Sequence, residues 1–185
     1  MSAVDARRPS GAVVLAVLGA WIGAAYAAFN WGVYSSIRIQ SGKPLVEESF
    51  GYEAVDIAAQ SARLGPIGRL EYLHFQALDL VIASLGFAAV VLCVGWLASR
   101  LGLSRRSLIS LSIAPCVMYS MEWMENALLA VITVLDQNFN PFYAVVASTA
   151  TQVKLLTAAI SASMLLVMSL ALVWRAAAKP REASL

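Results

Sequence analysis

Residues 73–97 read LHFQALDLVIASLGFAAVVLCVGWL. The run holds one acid, Asp79, and no basic residue other than His74. Crossing roughly 30 Å of hydrocarbon takes about 20 helical residues, so the run is long enough to span a bilayer. Three others share its character: Gly11–Tyr34, Ser107–Leu135 and Phe142–Trp174. In lipid, a backbone of such length satisfies its own polar groups only as a helix. The sequence therefore predicts an all-α fold, an integral membrane four-helix bundle forming one domain over residues 1–185. Its spans fall at about 11–34, 73–97, 107–135 and 142–174. The fourth is longer than a bilayer requires and has to tilt or protrude.

Composition agrees. Of 185 residues, 60% are hydrophobic and 13% charged, and mean hydropathy is +0.74. Soluble domains carry about 25% charged residues, so both a water-soluble domain and a disordered chain are excluded. A net charge of +2, with no run of Lys and Arg, gives no footprint for a nucleic-acid partner. The two cysteines, Cys93 and Cys116, lie in apolar runs and form no CxxC pair, which argues against thiol-redox chemistry. With His74 as the only histidine, a bis-His haem is excluded within one chain and a His-rich zinc site is disfavoured. The residues call for no cofactor and no metal.

Arg7, Arg8 and the Ala25-Tyr26-Ala27 triplet give the first run some likeness to a signal peptide, but its apolar stretch continues to Tyr34. It is expected to stay as a membrane anchor. Basic residues cluster at the N-terminus (Arg7, Arg8), between the second and third runs (Arg100, Arg105, Arg106) and at the C-terminus (Arg175, Lys179, Arg181). With an even number of spans these lie on one side, which places both termini in the cytoplasm. The one long loop, Ser35–Tyr72, then faces the opposite side. Within it, Tyr52–Leu64 sets Val55, Ala58, Ala59 and Ala62 on one helical face and Glu53, Asp56, Gln60 and Arg63 on others. This is a short amphipathic helix, ended by Gly65-Pro66, that lies on the membrane surface or over the bundle mouth.

The four runs contain only four charged side chains: Asp79, Glu122, Glu125 and Lys154. Each would cost about 2.5–3.5 kcal/mol at the centre of a lone membrane helix, so they have to face inward and pair or change protonation. At 1.5 Å per residue, Asp79 is expected about 9 Å below the outer end of its span. Glu125, Lys154 and Glu122 are expected roughly 15, 18 and 20 Å down theirs. A shared cavity opening away from the cytoplasm is the simplest arrangement. Met118, Glu122, Glu125, Asn126 and Leu129 fall on one stripe, and Thr151 and Lys154 share a face. Tyr72, Gln76 and Asp79 lie along one side of their helix, and Asn30 stands near the same outer end. Arg69 is placed at the mouth, either to bind an acidic head group or to anchor the helix end.

Three acids against one lysine leave an imbalance. Lys154 is expected to pair with one carboxylate while another stays protonated and so can donate a proton. Glu122 and Glu125 could instead hold a divalent cation, though Lys154 opposes it, or the polar groups could simply join the helices.

Gly51-Tyr52, Leu64-Gly65, Gly68-Arg69, Tyr72, Asp79, Pro115, Glu122, Glu125-Asn126 and Thr151-x-x-Lys154 follow one another in an order that resembles a family of small uncharacterised four-span membrane proteins. The likeness runs from about Gly51 to Leu155. It departs at Glu122, where the family usually has Asp, and at Val81-Ile82-Ala83, where the family often has an aromatic residue and a proline. The resemblance implies a marked polar set at these positions and no particular activity.

The function expected from the residues is a polar intramembrane pocket that binds a small lipophilic molecule and carries out acid–base conversion on it, as isomerisation, cyclisation or hydrolysis. Glu122, Glu125, Asp79 and Lys154 are the catalytic candidates. Asn126, Thr151, Tyr72, Asn30, Arg69 and Gln76 are the substrate-binding candidates. The alternative is a non-catalytic membrane subunit or assembly factor whose buried charges hold the helices together. The partners expected are the lipid bilayer and either a second copy of the chain or another membrane protein. A proton-coupled carrier is disfavoured because no repeated or broken helix marks a path.

Overall fold

The computed structural model describes residues 10–178. The N-terminal Arg7 and Arg8 and the C-terminal Lys179 and Arg181, used above for orientation, lie outside them. The described residues are all-helical, with α1 Gly11–Trp31, α2 Val33–Ser41, α3 Ala54–Leu101, α4 Arg105–Leu135 and α5 Pro141–Ala177. Short 3-10 turns occupy Val46–Glu48 and Asp136–Asn138. Three helical stretches are long and apolar enough to cross a membrane, Gly11–Ser41, Ala54–Leu101 and Pro141–Ala177. Their apolar side chains face outward, Leu15, Ile22, Leu166, Val167 and Leu170 among them, which water would penalise and lipid would not. Helix α4 falls short by composition: Glu122, Glu125, Asn126, Pro115 and four serines dilute its apolar content. It packs between α3 and α5.

Local chemistry sets the boundaries. At Gly32 the chain leaves the helix, and a Cβ there would lie 2.7 Å from the Ala28 carbonyl. Helix α1 therefore ends at Trp31, short of the expected Tyr34, and a separate helix, α2, occupies the start of the long loop. Ser10, Ser104 and Asn140 cap α1, α4 and α5 by accepting backbone N–H bonds. The expected break at Gly65 is present: its φ of 62° and ψ of −175° fall in a region open essentially to glycine. It divides α3 into a first limb, 54–64, and a long limb from 66, which Pro66 opens.

Two packed regions hold the ends. At the loop end, Ile37, Leu45, Val46, Ile57, Leu64, Tyr72, Phe75, Leu129 and Ile132 form one buried cluster. The first limb of α3 lies over this end rather than apart from it. Gln60 accepts from the Val46 N–H at 2.9 Å, and Ser61 donates to Asp136 at 2.9 Å. At the other end Leu97, Ala98, Leu101 and Met168 pack together, and Arg175 donates to the Leu101 carbonyl. Arg100, Arg105, Arg106 and Arg175 therefore gather at one end of the molecule, as expected.

Candidate functional site

Between the two packed ends, the four charged side chains converge. Glu125 on α4 is fully buried and accepts hydrogen bonds from Lys154 and Thr151 on α5. Lys154 also lies 3.3 Å from Glu122, one helical turn from Glu125, so a single ammonium spans both acids. It therefore occupies the place a divalent cation would take. The Tyr52 hydroxyl stands 3.4 Å from Glu125 and 3.1 Å from the Thr151 hydroxyl. Asn126, next to Glu125 on α4, donates to Asp79 at 2.9 Å and so draws Asp79 into the same cluster.

Counting from the expected span start, Asp79 would sit well above Glu122. The long limb of α3 begins at Pro66 instead of residue 73, which sinks Asp79 about 20 Å from the limb's start. That is the depth of Glu122 below Leu135.

A cavity of about 460 Å³ opens beside this cluster. Asp79, Glu122 and Lys154 line one end of it, and Phe87, Val90, Cys93, Leu155 and Leu165 carry it away toward the arginine end. From α1, Leu18 and Trp21 close one wall, and the Trp21 indole rests on Gly86. The volume lies in the usual range for ligand pockets, about 300–1,000 Å³. Its direction differs from the expectation of a pocket opening toward the long loop. On that side the charges are covered by Tyr52, whose backbone N–H donates to Ser148 at 2.9 Å, and by the turn at Val46–Glu48.

The remaining candidates take other places. Tyr72 and Gln76 do not line the cavity; they donate to Glu47, at 2.9 and 3.1 Å. Arg69 pairs with Asp136 across the gap between α3 and α4. Asn30 is exposed and donates to the Tyr26 carbonyl of its own helix. Asn126 and Thr151 support Asp79 and Glu125 rather than face the cavity. His74 is exposed, and Cys116 likewise.

Sequence reasoning missed Glu47 and gave Tyr52 no role in the site. Burial pushes the Glu47 carboxyl up to about 7, opposed by its backbone hydrogen bond and by the Tyr72 hydroxyl. Burial, then the Glu125 charge, pushes the Tyr52 phenol up as well. Asp136 goes the other way, held down by the hydrogen bonds of Arg69 and Ser61. Nothing local marks Glu47, since no periodicity crosses Ser41–Glu53; the Gly51-Tyr52 pair was the only available signal.

No family model, curated protein or solved structure matches the chain.

Proposed function

We propose that the chain is a four-span integral membrane protein, both termini cytoplasmic, that binds a small lipophilic molecule in the 460 Å³ cavity and performs acid–base chemistry on it. The observation that carries this reading is the meeting of an apolar volume with Asp79, Glu122 and Lys154 at one end only. Intramembrane ionisable groups are functional by default, because each is expensive to keep. Glu122 is the proton donor of choice: it lines the cavity, whereas Glu125 is sealed behind it by Tyr52, Thr151 and Lys154. Glu125 fixes the lysine, and Asn126 fixes Asp79. Helix α4, flanked by α3 and α5, is the fourth span; its polar face turns inward and its apolar residues Ile109, Ile113, Val131 and Val134 face outward. The gathered arginines support the cytoplasmic placement. Membership of the small four-span family is part of the same proposal, supported by the convergence of its marked positions Asp79, Glu122, Glu125, Asn126, Thr151 and Lys154.

A second reading has its own support. Glu125 has no exposed surface, which suits a side chain that joins α4 to α5 in a non-catalytic subunit or assembly factor. Native mass spectrometry of protein extracted in mild detergent separates the two. The pocket reading expects a small molecule that co-purifies with the wild type and is lost from Glu122→Gln. A retained protein partner, no small molecule and no effect of Glu122→Gln would overturn it in favour of the subunit.

A further inference from the structure

The cavity carries charge at one end and apolar walls elsewhere, so its occupant has to be amphiphilic. The sign of the head group follows from the charge count. Three acids, Asp79, Glu122 and Glu125, meet one lysine. Lys154 is held most closely by Glu125, which lies outside the cavity. Asp79 and Glu122 line the cavity end, where Lys154 also reaches Glu122 at 3.3 Å. Two acids beside one lysine that Glu125 already holds leave the cavity end with a surplus of acidic groups. Asn126 donates to Asp79 but brings no charge. An anionic head would add to the surplus, a neutral head would leave it, and a cation would cancel it by charge-assisted hydrogen bonds. The rings of Trp21, Phe87 and Tyr119 line the same cavity, and aromatic faces attract cations.

We propose that the cavity takes a single-tailed amphiphile with a cationic amine head, its ammonium at Asp79 and Glu122 and its tail running toward Cys93 and Leu165. This rests on the pocket reading above and adds the chemical class of the ligand. It explains why the carboxylates outnumber the lysine, which the glue reading leaves without a use.

The test is calorimetric titration of the full chain in phosphatidylcholine nanodiscs, with empty discs as the blank. Decylamine, decanol and decanoate serve as probes, and the proteins are wild type, Glu122→Gln, Asp79→Asn and Ala158→Phe. Ala158 lines the cavity, so the phenyl ring fills it. The expected result is saturable binding with decylamine at least tenfold tighter than decanol, about 1.4 kcal/mol, and decanoate weakest. Either neutralised acid should erase the preference, so one folded variant of the two is enough, with helicity checked by circular dichroism. Ala158→Phe should remove binding of all three probes. Equal binding of decylamine and decanol, both lost in Ala158→Phe, would overturn the cationic head and keep the pocket. Preference for decanoate would overturn it as well and make Lys154 the head-group partner. Decylamine binding untouched by Ala158→Phe, or no saturable binding at all, would overturn both readings.

Discussion

The Asn126 amide donates to the Asp79 carboxylate at 2.9 Å, tying α4 to α3 where the cavity begins. Hydrogen bonds between membrane helices are worth about 0.6 kcal/mol on average and up to about 1.7. With a carboxyl acceptor at 2.9 Å, this one belongs near the top of that range. Asn126→Leu is therefore expected to lower unfolding stability by about 1–2 kcal/mol in detergent, read from denaturant titration followed by circular dichroism.

Removing Lys154 has a larger effect. Lys154→Met leaves Glu125, with no exposed surface, without its cation. Breaking a buried pair from one side costs about 3–5 kcal/mol. Adding Glu125→Gln should restore most of the loss, because the amide keeps the Thr151 and Tyr52 contacts without a charge. A double variant no more stable than Lys154→Met would mean that the lysine acts through something other than Glu125.

Gly86 sets the distance between α1 and α3. A Cβ there would come within 2.7 Å of the Trp21 indole nitrogen. Gly86→Ala is expected to cost about 1–3 kcal/mol, the usual penalty of overpacking, and to shift tryptophan emission. Trp21→Ala should abolish that penalty when combined with it. Separate additive losses in the two single variants would show that the contact is not what constrains the glycine.

The turn at Val46–Glu48 should respond to pH. The folded-state carboxyl of Glu47 is raised from 4.5 to about 7. A raised carboxyl stabilises the fold when protonated, so its contribution is complete below about pH 4.5 and is lost as pH rises through about 7. The shift corresponds to about 3 kcal/mol. The groups facing Glu47 are Tyr72, Gln76, Glu125 and Lys154. Gln76 Oε1 is buried without a partner, and an amide flip would let it accept the proton of neutral Glu47. Hydrogen-exchange protection of residues 45–53, taken relative to the intrinsic rate at each pH, should fall between pH 5 and pH 8, and Glu47→Gln should flatten the response. Equal pH dependence in both proteins would refute the assignment.

The charged set was legible because its residues sit on regular helices. Glu122 and Glu125 are one turn apart, and Lys154 shares a face with Thr151, so periodicity alone brought them together. Gly65-Pro66 announced its break for a reason equally local. Depth was less secure: hydropathy marks where apolar residues begin, and the long limb of α3 begins seven residues before them, at Pro66, which moved Asp79 inward. Which side of the cluster stands open was not legible at all. It depends on Tyr52 and Glu47, from a segment with no period, packing over Ser148 and Tyr72. Asn30 looked like a member by height, but its amide is taken by the carbonyl one turn back.

The loop-end cover is stitched to parts of the chain made much later. Tyr52 bonds Ser148, 96 positions on, and Ser61 bonds Asp136, 75 positions on. At about 5–20 residues per second, the ribosome produces Ser148 roughly 5–20 seconds after Tyr52. Until then residues 46–64 can pack on α2 and the start of the long limb of α3, through Ile37, Tyr72 and Phe75, but cannot make these two bonds. Closure of that cover therefore has to wait for the end of α4 and the start of α5.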